Sequence, residues 1–250
     1  MRRWLLPALL LVALVGTWQL AASTGALADV LGLESFLVPS PAEIAESLRD
    51  NRSLLAENAW VTLREILLGL GCALVAGVGF AVLMHLSGVI RDAAYPLIVA
   101  SQTIPIVVIA PILLIWLGFG IGPKIVVVAL ISFFPITVNV LAGLGSAAPD
   151  AIKLMRSLDA SRWQVFYRVE TPAALPSFFT GAKIAVVLAP IGAVFGEWVG
   201  SSSGLGHLIL VDSGYLEVAR QFAAVFVLSV MALILIGLLA LVERRVVTWR

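Results

Sequence analysis

The chain has 250 residues, of which 61% are hydrophobic and only 12% charged, and its mean hydropathy is +1.07. Soluble domains carry roughly 25% charged residues, so this composition excludes a soluble globular domain and predicts an integral membrane protein of one domain. A formal charge of +1 argues against a nucleic-acid binder, and the single cysteine, Cys72, excludes an internal disulfide or a cysteine-based metal site.

A membrane helix needs roughly 20 mostly apolar residues. Five uncharged runs and a sixth interrupted only by Lys183 predict six spans, near residues 4–24, 66–88, 93–117, 125–146, 174–196 and 221–242. The apolar–polar alternation of barrel strands is absent. The predicted fold class is therefore all-α: a polytopic membrane protein in which residues 1–250 form one six-helix transmembrane domain.

Residues 1–28 read either as a secretory signal or as a first span. The apolar run exceeds the 7 to 15 residues of a signal, which favours an uncleaved span behind Arg2 and Arg3. Asp29 to Glu65 is the one substantial segment between the first two spans. Val38-Pro39-Ser40-Pro41 forces an extended turn, and Ser40 or Pro41 starts an amphipathic surface helix carrying Glu43, Ile44, Leu48 and Leu55. The second span holds Gly69, Gly71, Gly77 and Gly79, small residues that let helices approach closely in lipid, and is expected inside the bundle. Arg91 and Asp92 mark a tight turn after it.

The third span contains Gln102, Pro105 and Pro111, followed by Trp116, Gly118 and Gly120. Each proline removes a backbone donor and frees a carbonyl, so both are expected to kink the span, and kinks of this kind line a pathway as readily as they serve structure alone. The fourth span carries Pro135 and Asn139; a membrane-buried Asn joins helices or lines a pore.

A charged island, 150–172, separates the fourth and fifth spans. Ile152, Met155 and Leu158 recur at helical spacing. A break near Asp159 and Ala160 precedes a second short helix, for which Ser161 and Gln164 form a capping box, and Pro172 and Pro176 are expected to end it. Lys153, Arg156, Arg162 and Arg168 stand between the apolar positions. The fifth span holds Lys183, expected to snorkel to the surface, and ends at Glu197, which is either an entrance charge at the outer mouth or an interfacial anchor. A short helix over 207–220 and a last aliphatic span follow, closed by Arg244, Arg245 and Trp249. His85 and His207 read as lone interfacial residues.

With the N-terminus inside, Lys and Arg fall ten inside against five outside, with Lys183 within a span. Both termini and the 150–172 loop are then cytoplasmic. Phosphate-loop, zinc-protease and serine-elbow motifs are absent, so the chain is not read as an enzyme and no cofactor or metal is expected.

The 150–172 loop resembles the cytoplasmic loop of bacterial ABC-importer permeases, whose pattern is Glu-Ala-Ala, three residues, Gly, nine residues, Ile, one residue, Leu-Pro. With the family's Gly at Asp159, its Ile falls on Val169 and its Leu-Pro on Thr171 and Pro172, whereas Lys153 stands for the Glu. Ala160 to Phe166 and Pro172 to Pro176 are similar to the same loop in the nitrate, sulfonate, taurine and thiamine-precursor branch. Ile104-Pro105 through Trp116, Gly118 and Gly120 resembles that branch's third span, and Gly196-Glu197-Trp198-Val199-Gly200 the end of the fifth span in importers of thiamine-type pyrimidines.

The resemblance implies a permease in the bacterial inner membrane, acting as a homodimer with a translocation pathway between subunits. It implies two cytoplasmic ATP-binding subunits, which bind the ATP, and a periplasmic or lipid-anchored solute-binding protein. It places the ATPase contact at Arg156, Ser157, Leu158, Asp159, Ala160, Ser161 and Arg162. Gln102, Pro105, Pro111, Asn139 and Glu197 are the candidate pathway or gate residues. The implied solute is a thiamine-type pyrimidine or similar heterocycle, then a sulfonate, taurine or nitrate. A secondary transporter or channel without an ATPase is the alternative; it predicts paired intramembrane charges or inverted repeats.

Overall fold

A computed structural model of the protein describes residues 2–248, and within these no β-strand occurs. The helices are α1 (Arg2–Ser23), α2 (Ala26–Leu31), α3 (Pro41–Asp50), α4 (Arg52–Leu86), α5 (Gly88–Ser101), α6 (Ile106–Leu117), α7 (Ile121–Leu144), α8 (Pro149–Ser157), α9 (Arg162–Val165), α10 (Thr171–Trp198), α11 (Leu205–Tyr215) and α12 (Val218–Val246). Among the described residues four are long and apolar enough to cross a membrane, α4, α7, the run Arg162–Trp198 and α12, and the bent pair α5–α6 makes a fifth if it is one span. The Trp249 anchor lies outside the described residues.

The chain packs as two compact units. One takes in the chain up to Val61 with Ser203–Ser229. Its α3 begins at Pro41, as expected, behind a capping box that was not: Ser40 Oγ accepts from the Glu43 backbone N–H, and Glu43 Oε2 accepts from the Ser40 backbone N–H at 2.7 Å. The predicted surface helix is split at Asn51, so Leu55 belongs to α4, where it is buried. Arg220 on α12 holds the buried Asp212 of α11 through two nitrogens, at 2.7 and 3.0 Å.

The other unit, Thr62–Ser202 with Val230 onward, contains a core in which Ile66, Val128, Ile136, Ala185, Ala189 and Ala193 are fully enclosed. Its main seam is α7 against α10. Small residues set the approach: a Cβ at Gly181 would lie 2.6 Å from the Pro135 carbonyl oxygen, and one at Gly192 3.0 Å from the Val128 Cα. Gly69 and Gly77 of α4 likewise meet Val128 and Ile136, but Gly71 and Gly79 face open space. The expectation for the second span thus holds for one face only, because 69 and 77 share a helix face that 71 and 79 do not. Gly181→Ala is expected to lower the unfolding midpoint of the detergent-purified protein, overpacking costing about 1–3 kcal/mol, whereas Gly79→Ala leaves it unchanged.

Three expectations for the spans are corrected. The third span is not one helix: α5 and α6 meet at 101°. Pro105 breaks it by holding an extended backbone at ψ 125°, while Pro111 sits inside α6 without breaking it. The turn before α5 lies at Ser87, and Arg91 and Asp92 are already helical. Pro172 and Pro176 do not end a helix, because Arg162–Trp198 is continuous. Residues 166–170 form a π-turn in which the Thr171 N–H reaches back to the Phe166 carbonyl. The widened turn leaves Pro172, which has no N–H, room beside the carbonyl that an α-helix would press against its ring.

Candidate functional site

At one end of this unit, the seven predicted contact residues Arg156 to Arg162 come together on the turn between α8 and α9. The turn is a Schellman motif: the Asp159 N–H donates to the Arg156 carbonyl and the Ala160 N–H to the Met155 carbonyl, both at 3.0 Å. Asp159 takes φ +60°, so the position fitted to a glycine in the family pattern is one that demands left-handed backbone. Asp tolerates that region better than most residues. Asp159→Val should therefore cost about 1–2 kcal/mol, seen as faster proteolysis of the loop, while Asp159→Gly leaves it intact. Ser161 and Gln164 form the predicted capping box, with the Ser161 N–H donating to Gln164 Oε1 at 2.8 Å.

The turn is tied to the end of α4 in two places. The Arg162 guanidinium donates to the Leu86 carbonyl at 2.7 Å, and His85 Nε2 lies 2.8 Å from Glu170 Oε2 in the π-turn. His85 is thus a paired residue rather than the lone one expected. His85, Arg162 and Glu170 line a cavity of about 500 Å³ together with Arg156, Ala160 and Val165. Leu154, Leu158, Trp163 and Tyr167 stay largely exposed beside it, and Trp163 stacks on Phe166 at 5.2 Å. An exposed apolar surface set among basic side chains suits a protein partner.

Glu197 occupies the far end of α10 and is neither an entrance charge nor an interfacial anchor. It is wholly buried and accepts a 2.6 Å hydrogen bond from Thr62 of α4. Glu65, one turn along α4, neighbours it. Glu65 also forms a 2.9 Å ion pair with Lys124 of α7, which is nearly as buried, and the Lys124 ammonium donates to Ser201 Oγ at 2.6 Å. Two carboxyls and one ammonium out of water are stable only as a paired set. Beside them lies a cavity of about 410 Å³ lined by Phe119, Gly120, Lys124, Gly200, Ser201 and Ser202. Sequence reasoning missed Thr62, Glu65, Lys124 and Ser201, treating the charges as span-end residues. The available signal was the polar series Asn58, Thr62, Glu65 at helical spacing within a largely apolar helix.

The other pathway candidates lie elsewhere. Gln102 is exposed at the α5–α6 bend and Pro105 opens α6. The Asn139 amide donates to the Pro135 carbonyl of its own helix at 2.7 Å, and its Cβ packs beside Gly181 of α10. Fifteen residues of helix, about 22 Å, separate Asn139 from Lys124. Lys183 does not snorkel alone; it pairs with Glu243 of α12.

Residues 69–248 match the family described as binding-protein-dependent transport system inner membrane component. The formylaminopyrimidine transport permease protein ThiX of Halalkalibacterium halodurans is 36% identical over 98% of this chain and 95% of its own length. The riboflavin transport system permease protein RibX of Chloroflexus aurantiacus is 34% identical over 98% and 89%, and the taurine permease TauC of Escherichia coli 29% over 87% and 82%. Among solved structures, an amino acid ABC transporter superposes with a TM-score of 0.67 at 20% identity, covering 80% of this chain and 97% of that one.

Proposed function

Because the chain belongs to the family of binding-protein-dependent transport system inner membrane components, and is therefore the permease of an ABC importer rather than an enzyme, we propose that it carries a formylaminopyrimidine-like heterocycle into the cell. It works as a homodimer in the inner membrane, with both termini and the α8–α9 turn in the cytoplasm. Two ATP-binding subunits dock on Arg156–Arg162 and the neighbouring Leu154, Leu158, Trp163 and Tyr167. A solute-binding protein delivers cargo on the opposite side.

The observation that carries this reading is the similarity to ThiX along nearly the whole of both chains. The mechanics follow from the ties at the turn. Closure of the ATPases pushes α8 and α9, the continuous Arg162–Trp198 run carries the push across the membrane, and the Arg162–Leu86 and His85–Glu170 contacts take α4 along.

Proteoliposomes holding the permease, its ATP-binding subunits and its binding protein should take up labelled formylaminopyrimidine only with ATP, and in preference to taurine. Uptake by the permease alone would instead establish a channel or secondary transporter. A preference for taurine would move the solute to the sulfonate class.

A further inference from the structure

The cavity beside Lys124 plays no part in ATPase docking. From its lining we infer that it receives a neutral, planar heteroaromatic solute, and that Glu65 excludes anions from it by holding the Lys124 ammonium. The inference rests on the importer reading and narrows its substrate class.

At about 410 Å³ the cavity falls within the roughly 300–1,000 Å³ of small-molecule sites. The Phe119 ring is 81% exposed and offers a face for stacking. Gly200, at φ +83°, lies flat behind it: a Cβ there would come within 2.9 Å of Leu114 and 3.0 Å of Phe119. Ser202 supplies a hydroxyl that can both donate and accept, which suits ring nitrogens and exocyclic amines, beside Ser201, whose Oγ is held by Lys124.

Charge decides against the sulfonates. Lys124 is the one cation among the six lining residues, and Glu65 Oε1 already sits 2.9 Å from its Nζ. With that ammonium already held by a carboxylate, an entering sulfonate or nitrate finds no counter-charge in the lining to offset its lost hydration. A neutral ring meets no such cost.

The test uses the complete transporter in nanodiscs. In a Cys72→Ser background, Ser202→Cys places a thiol in the cavity wall for a charged, membrane-impermeant maleimide. Millimolar formylaminopyrimidine should slow labelling several-fold and the anion ethanesulfonate should not. Adding Glu65→Gln should let ethanesulfonate protect as well. A thiol that the maleimide never reaches, equal protection by ethanesulfonate with Glu65 in place, or no protection by either solute would overturn the inference. Should Glu65→Gln fail to fold, Gly200→Ala gives a second reading: its methyl displaces Phe119, so labelling continues and protection is lost. Uptake separates the two claims. Formylaminopyrimidine uptake without protection overturns the cavity, whereas protection by other neutral aminopyrimidines with no uptake of that solute overturns the cargo assignment and supports the cavity.

Discussion

Lys124→Met is expected to cost the folded permease about 3–5 kcal/mol, the largest single loss among the changes considered. The substitution keeps the aliphatic stem, so little packing is lost; what disappears is the ammonium. Glu65, 1% exposed, and Glu197, fully buried, are then left side by side without the Lys124 ammonium. One must take up a proton or the helix ends must part to admit water. Either route lowers the unfolding midpoint in detergent.

The double variant Lys124→Met with Glu65→Leu distinguishes this from a general loss of packing. Replacing both members of a buried pair with apolar groups of similar size is often neutral, so the double variant should recover most of the loss. That is a coupling energy of the size found between directly contacting residues. Two independent, additive losses would show that the ion pair is incidental to the stability of this end of the bundle. Glu197 keeps its hydrogen bond from Thr62 in both variants, and both lose the Lys124–Ser201 bond, so the difference between them reports what Glu65 contributes through Lys124 and Glu197 together.

Why that trio was hidden in the sequence while the α8–α9 turn was plain is a matter of range. The capping boxes at Ser40 and Ser161 and the break at Asp159 obey rules that act over three or four residues, and all can be read locally. The apolar helices follow from runs of uncharged residues for the same reason. Thr62 and Glu197 lie 135 positions apart, and no local rule joins them. Prolines show the limit most clearly. Pro105, Pro111 and Pro172 have the same chemistry, yet one breaks a span, one rides within a helix and one follows a π-turn. Which outcome occurs depends on what neighbouring helices leave room for. Lys124 failed for a related reason: α7 starts at Ile121, a turn earlier than the apolar run suggests, and carries the lysine into the protein.

Arg162→Glu should sharply reduce coupled transport while leaving insertion and folding intact. Wild-type Arg162 bonds the Leu86 carbonyl at the end of α4, a charge-assisted contact of about 1.5–3 kcal/mol. A carboxylate cannot donate that bond, and it would add negative charge to the cavity that already holds Glu170. Since 1.4 kcal/mol is tenfold, ATP-dependent uptake should fall roughly 10- to 100-fold. Arg162→Lys, which can still donate once, should fall less. The ATP-binding subunits should hydrolyse ATP without moving solute, because the turn no longer drags α4 with it. Unchanged uptake with unchanged co-purification of those subunits would show that the α4 tie transmits nothing. Unchanged hydrolysis with lost co-purification would instead make Arg162 part of the docking surface itself, and the motion would then have to travel through α10 alone.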